Sequence, residues 1–275
     1  MKNYVKLVNF ELGRFMKIYF ALIGIVIISQ LTGTFNIARS YMNLFNEKMY
    51  VEGYTMEQFL EQFGSISLMN LQQSGWIQLP IVFAAAVLML YCFFIWYRDW
   101  FGKNTFIYRL LMLPTARITI YFSKATAIFL MVLGLVALQV ILLQIEGSIL
   151  KWLVPQNLRT DFSIMEFVSG MPGTLHLGLL IPASFTQFLI HYGIGFMAVF
   201  VLFTSILLER SYRFIGVFYG MLYGLFAVIV FHSPLLFANY LYPAELLIAG
   251  VVTWAIVVGM SIWFSHYLLN RKISV

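Results

Sequence analysis

Charged residues are scarce in this sequence, and their scarcity excludes an ordinary soluble domain. Only 10% of the 275 residues are Asp, Glu, Lys or Arg, whereas 61% are hydrophobic and 18% are aromatic. A soluble domain has roughly 25% charged residues and about 45–50% apolar ones. One soluble core could not bury this much apolar surface, but a lipid bilayer solvates it. The composition therefore predicts a single all-α transmembrane domain over residues 1–275.

Cysteine is nearly absent as well. Cys92 is the only one, which excludes an intramolecular disulfide and any multi-cysteine metal site. The histidines, His176, His191, His232 and His266, are scattered and form no His-Glu-x-x-His motif. A membrane enzyme needs a nucleophile with a base, or a metal set, and the sequence offers neither. We expect no catalytic residue and no metal site on this chain.

Six windows of the sequence contain no Asp, Glu, Lys or Arg and are long enough to span a bilayer, which takes roughly 18 residues or more. Their polarity does not alternate as it would in the strands of a barrel, and backbone in lipid must satisfy its own hydrogen bonds. These windows therefore predict helices. The predicted transmembrane spans are about 18–36, 77–96, 122–145, 188–208, 214–232 and 246–268.

The charge-free window 167–208 is long enough for two short spans. Gly170, Pro172 and Pro182 interrupt its first half, and both residue types disfavour a continuous helix. This favours one span preceded by a broken, re-entrant segment at 167–187.

The distribution of basic residues predicts that both chain ends lie on the cytoplasmic side. With six spans, the inner segments hold 13 of the 17 Lys and Arg and three of the 11 acids, a net charge of +10 against −4 outside. Basic residues collect on the cytoplasmic side because they resist translocation. Seven spans would move Arg210, Arg213, Arg271 and Lys272 outside, and that count is rejected. The basic pI thus needs no nucleic-acid partner.

Residues 1–17 precede the first span and predict an amphipathic helix in the membrane interface. Lys2, Lys6 and Lys17 fall largely opposite an apolar side. This helix either orients the first span or contacts a cytoplasmic partner. The leading segment is long, contains Glu11 and is followed by no small-residue cleavage site, so we expect the first span to be retained and not removed as a signal peptide.

The loop 97–117, between the second and third spans, predicts a short helix on the membrane surface. One stripe of side chains recurs at helical spacing: Phe101, Thr105, Tyr108 and Met112. Pro114 is expected to end this helix near Leu113, because proline disfavours helix in the residue before it. From the residues alone, the segment is either a basic connecting loop or a docking element.

The same segment carries a family resemblance. It contains Arg109-Leu110-Leu111-Met112-Leu113-Pro114-Thr115-Ala116-Arg117, followed by Ser123-Lys124. This pattern resembles the segment between the second and third spans of permease subunits of type-2 ATP-binding-cassette (ABC) exporters. The order of the whole chain, an amphipathic N-terminal helix and then six spans with both ends inside, is similar to that family.

The resemblance implies that 97–117 is the coupling helix that docks onto a cytoplasmic ABC ATPase subunit. The residues that it assigns to coupling are Arg98, Asp99, Gly102, Lys103, Thr105, Tyr108, Arg109, Leu111, Leu113, Pro114 and Arg117. It also implies a second permease, either an identical copy or a paralogue, and a bacterial plasma membrane. ATP and Mg would be bound by the partner, because Gly102-Lys103 lacks the upstream glycine and the preceding strand of a phosphate loop.

Three glycines recur at a spacing of four in the fifth span: Gly216, Gly220 and Gly224. Small residues on one helical face let another helix approach closely. The stripe therefore serves either packing within the chain or a dimer interface.

Two outer connections are long. We expect 37–76 to be a small solvated helical excursion and 146–187 to hold a helical piece on or in the outer leaflet.

The alternatives to a permease are an ion-coupled secondary transporter and a non-transporting membrane scaffold. Ion-coupled transporters usually place ionisable groups inside the membrane, and we expect none in the core of any span. For a permease, the apolar and aromatic content fits an amphipathic peptide, drug or lipid-like substrate.

Overall fold

The computed structural model describes residues 2–101, 106–162, 181–182 and 184–273. Nearly all of them are helical. The elements are α1 (Lys2–Tyr50), α2 (Met56–Phe63), β1 (Ile66–Ser67), α3 (Leu68–Gln72), α4 (Gly75–Trp100), α5 (Phe106–Leu111), α6 (Ile118–Leu153), β2 (Arg159–Thr160), α7 (Phe185–His232) and α8 (Pro243–Tyr267). Short helical turns follow α6, α7 and α8 at Gln156–Leu158, Ser233–Phe237 and Leu268–Lys272.

Five helices of the described chain are long and apolar enough to cross a bilayer. They cover Asn3–Tyr50, Gly75–Trp100, Ile118–Leu153, Phe185–Phe237 and Pro243–Lys272. The protein is therefore a helical multi-pass membrane protein, as the composition predicts. Each of the six predicted spans falls within one of these helices, and the fourth helix contains two of them.

Helix α1 runs without interruption through the expected boundary between an interfacial helix and the first span. Its 49 residues would extend about 74 Å, more than twice the roughly 30 Å of a hydrocarbon core. No proline occurs in this stretch, so no residue lacks its amide donor and the helical hydrogen bonds continue. The expected re-entrant segment 167–187 lies mostly outside the described residues.

Helix α7 contains a chain reversal. Arg213 has φ 56° and ψ −130°, a non-helical conformation that favours glycine. A Cβ on Gly216 would lie 2.7 Å from Glu209 Cα, and the Ser205 hydroxyl donates to the Gly220 carbonyl at 3.1 Å. Residues 185–212 and 214–232 therefore pack as two antiparallel arms.

The described chain divides into two compact units. Unit 1 comprises residues 1–15, 88–130 and 189–275, and unit 2 comprises 16–87 and 131–188.

Hydrogen-bonding side chains join three helical segments within unit 1. Thr204 shares a 2.9 Å hydrogen bond with Ser265, and Tyr223 shares one of 2.6 Å with Ser261. All four side chains are buried. The small side chains of Thr204, Ser261 and Ser265 let these helical segments pack closely, and the hydroxyl groups satisfy one another.

Unit 2 contains a folded substructure, which we call the head, formed by residues 37–74 and 143–162. Strands β1 and β2 pair in parallel, with Ile66 opposite Arg159. Phe59, Leu71 and Leu158 belong to its buried apolar core. The segment expected as a solvated helical excursion thus shares a core with the end of α6.

Pro80 lies within α4, where its missing N–H leaves the Trp76 carbonyl without its helical partner. The Ser29 hydroxyl of α1 donates to this carbonyl at 3.1 Å. Beside it, Gln30 Nε2 donates to the Ile77 carbonyl at 3.4 Å. Within unit 2, helix α1 thus supplies the hydrogen-bond donor that Pro80 lacks.

Candidate functional site

Unit 1 contains a cluster of five charged side chains, which we call the ion cluster: Glu11, Arg14, Arg98, Asp99 and Lys124. Lys124 lies at its centre and is fully buried. Its Nζ donates to Glu11 Oε1 at 2.7 Å, to Asp99 Oδ2 at 2.5 Å and to the backbone carbonyl of Ile95 at 2.8 Å. An ammonium group has three hydrogens, so each has an acceptor.

The two arginines occupy the other carboxylate oxygens. Arg14 Nη1 donates to Asp99 Oδ1 at 2.7 Å, and Arg98 Nη2 donates to Glu11 Oε2 at 2.8 Å. Glu11 and Asp99 are buried, whereas the arginines remain partly exposed. Burying an unpaired charge is very costly, and this arrangement leaves neither carboxylate unpaired. The cluster ties the start of α1, the end of α4 and the start of α6 together.

Sequence reasoning missed the ion cluster. The sequence marks Lys124 as a cytoplasmic basic residue and as part of the Ser123-Lys124 match, and Glu11 as a cytoplasmic acid before the first span, but it does not pair them. The structure places Lys124 near the start of the predicted third span, 122–145, where no ionisable group was expected in the core. A usable signal was that Glu11 and Asp99 are two of only three acids in the segments predicted to be basic and cytoplasmic.

The loop after α4 contains a short helix, α5. Its buried face consists of Ile107, Leu110 and Leu111, which anchor it to unit 1. The Phe106 ring stacks on the Phe10 ring of α1, with centroids 5.7 Å apart. The guanidinium of Arg14 lies 5.2 Å from the Phe106 ring centroid, so the ion cluster and α5 share a contact.

The opposite side of the loop is exposed. It forms what we call the loop surface: Phe101, Tyr108, Arg109, Met112, Leu113 and Pro114. The side chains of Phe101 and Met112 are 67% and 69% exposed. The stripe predicted at helical spacing therefore faces away from the core at the three of its four positions that the structure describes.

Arg117 contacts the C-terminal end of the chain. Its Nη1 donates to the carbonyls of Leu269 and Ile273 at 2.7 and 2.9 Å. The last carbonyls of a helix lack intrahelical partners, so this arginine caps the turn that follows α8.

The reversal between the arms of α7 contacts the end of α4. The Tyr97 hydroxyl donates to Glu209. The Arg210 guanidinium lies over the rings of Tyr97 and Phe101, 4.6 and 5.2 Å from their centroids. Arg210 thus contacts Phe101, the first residue of the loop surface.

The structure distributes the described coupling residues among four settings. Arg98 and Asp99 belong to the ion cluster, Leu111 is buried beneath α5, and Arg117 caps the C-terminal turn. Tyr108, Arg109, Leu113 and Pro114 lie on the loop surface. Gly102, Lys103 and Thr105 lie outside the described residues.

Of the three glycines, Gly216 and Gly220 pack against the preceding arm of the same chain. A Cβ on Gly224 would meet nothing within 4 Å. In the part of the chain that the structure describes, no group of three or more His, Cys, Asp or Glu side chains is arranged to hold a metal ion.

Comparison of the chain with protein-family models, with curated proteins and with solved structures found no match.

Proposed function

We propose that this protein is the membrane-spanning permease subunit of an ATP-driven exporter of the type-2 ABC class. A separate cytoplasmic subunit would bind ATP and Mg, and the loop 97–117 would couple its movements to the permease. The multi-pass helical fold and the resemblance of residues 109–124 support this assignment. We further propose a second permease copy or a paralogue, a bacterial plasma membrane, and an amphipathic peptide, drug or lipid-like substrate.

The proposal includes six spans with both ends in the cytoplasm. The reversal at Arg213 supports this count, because it divides α7 into arms of 28 and 19 residues. Helices of these lengths extend about 42 and 28 Å, close to or beyond the roughly 30 Å of a bilayer core.

The observation that carries the proposal is the loop surface. Phe101, Met112 and Leu113 are exposed next to Arg109, in a loop whose basic residues favour the cytoplasmic side. An exposed apolar patch with a charged group beside it is typical of a protein–protein interaction site. Helix α5 buries Ile107, Leu110 and Leu111 against unit 1 and leaves Tyr108 and Arg109 exposed beside these side chains.

The contacts around α5 suggest how a push on the loop surface would reach the membrane helices. α5 contacts α1 through Phe106 and Phe10, and the ion cluster ties α1 to α4 and α6. Because Glu11, Asp99 and Lys124 are buried and held by several hydrogen bonds, the three helices would move together at this point. The ATPase would thereby act on three spans from a single docking surface.

The buried ion cluster also favours a second candidate, the ion-coupled secondary transporter, because Lys124 falls within the predicted third span and ionisable groups inside a span often mark ion pathways. Transport would then depend on an ion gradient, and the isolated chain would need no ATPase.

Isolation of the protein from its native membrane in mild detergent tests the assignment. We expect a stoichiometric ATPase subunit to accompany the wild-type chain and to be lost from the Met112→Asp variant. Val51→Asp is the matched control, since Val51 is an exposed apolar residue of the head and lies outside the loop 97–117. A chain that purifies without any ATPase, in all three forms, would contradict the proposal and favour the secondary transporter.

A further inference from the structure

The head contains a buried acid with no cationic partner. Glu146 lies on α6 and is 1% exposed, and Gln72 lies on α3 and is 3% exposed. Gln72 Nε2 donates to Glu146 Oε2 at 2.8 Å. Within the described chain, Glu146 forms no ion pair.

Two oxygen atoms of this pair have no donor. Glu146 Oε1 and Gln72 Oε1 are both buried, and neither accepts a hydrogen bond from any described residue. Buried acceptors are nearly always paired, so two orphans on neighbouring side chains require an explanation.

The charged groups of the head are directed elsewhere. Helix α3 has none. The others are exposed or paired with one another: Arg39, Glu47, Glu57, Glu61 and Lys151 are exposed, Lys48 pairs with Glu52, and Arg159 pairs with Asp161. The phenol of Tyr41 donates to the carbonyls of Gly64 and Leu158. No described side chain is therefore placed to neutralise an ionised Glu146.

We propose that Glu146 is a proton-binding site and forms a two-point acid–amide pair with Gln72. A proton on Glu146 Oε1 donates to Gln72 Oε1, while Gln72 Nε2 donates to Glu146 Oε2. One proton thus satisfies both orphan oxygens and removes a buried negative charge. A divalent cation fits less well, because the two side chains supply only three oxygens, whereas Mg²⁺ or Ca²⁺ takes about six or more ligands.

The hydrogen bonds of this pair link α3 to α6, and one of them exists only while Glu146 is protonated. The unfolded chain releases that proton once the pH exceeds the ordinary pKa of a carboxylic acid, whereas the folded head retains it. Raising the pH therefore favours the unfolded state, and loss of the proton in the folded head leaves a carboxylate facing the oxygen of Gln72. The inference does not depend on the permease proposal, since it concerns only the head.

Infrared spectroscopy of the purified full-length protein tests the inference. At neutral pH we expect a C=O band of a protonated carboxylic acid that disappears in Glu146→Gln and persists in Glu57→Gln, which changes an exposed acid of α2. A wild-type spectrum without that band, or one in which Glu146→Gln retains it, would overturn the inference.

Gln72→Met provides a second variant that keeps Glu146. Its band is expected at higher wavenumber, because the carbonyl loses the hydrogen bond from the amide. An unshifted band would contradict the pairing. We also expect the wild-type Tm to fall more than that of Glu146→Gln as the pH is raised through the neutral range. An equal decrease of Tm in both proteins would contradict a contact between α3 and α6 that depends on protonation of Glu146.

Discussion

Lys124 and Asp99 form a 2.5 Å ion pair although both side chains are fully buried. They lie 25 positions apart, on either side of α5. The pair closes the base of the loop between α4 and α6, and Glu11 joins α1 to it. Buried ion pairs therefore hold together the two ends of the loop that carries the loop surface.

Lys124→Met is expected to destabilise unit 1 strongly. It removes the donor to Glu11, Asp99 and the Ile95 carbonyl, and breaking a buried ion pair costs about 3–5 kcal/mol. Thermal unfolding in detergent measures the effect. Lys151→Met is the matched control, because this lysine lies on the same helix and is exposed. A Tm equal to that of the control would show that the cluster contributes little to stability.

Gly216→Ala is expected to separate the two arms of α7. The added Cβ would clash with the backbone of Leu208 and Glu209, and overpacking of this kind costs about 1–3 kcal/mol. Gly224→Ala is the control, because open space surrounds that position. The Tm should fall for Gly216→Ala and stay nearly constant or rise for Gly224→Ala. The same Tm in both variants would refute the close approach of the arms.

Arg117→Met is expected to loosen the C-terminal turn. Leu269 and Ile273 would lose the donor to their carbonyls, a loss of about 1–3 kcal/mol when the acceptors stay buried. Hydrogen exchange over residues 268–273 should accelerate. Arg109→Met changes an exposed arginine of the neighbouring helix and should leave this exchange unchanged. Equal protection in both variants would exclude capping by Arg117.

Cysteine labelling tests the orientation of the chain. After Cys92 is replaced by Ser, a single cysteine at Met112 should react only with reagents that reach the cytoplasm. Single cysteines at Thr55 and Thr160 should react from outside, because an odd number of spans separates each of them from Met112 in the six-span topology. Thr160 labelled from the cytoplasm would contradict that topology.

The apolar runs predicted where the membrane helices lie, because a run of some 20 uncharged apolar residues has few other stable conformations in lipid. The pairing within the ion cluster could not be predicted: Glu11 and Asp99 are unusual as acids in basic segments, but only the fold brings residues 11, 99 and 124 together in space. The head was missed for the same reason: Ile66 pairs with Arg159 across the sequence. The spacing of Gly216 and Gly220 predicts close helix packing but leaves open whether the partner is the same chain or a second copy, and the reversal at Arg213 brings the preceding arm against them.

The most direct test of the proposed function is the ATP hydrolysis rate of the isolated assembly in lipid vesicles. We predict Mg-dependent hydrolysis that falls when Met112 is changed to Asp and persists when Val51 is changed to Asp. Hydrolysis that is absent from the wild-type assembly, or that is equal in both variants, would contradict coupling through the loop surface.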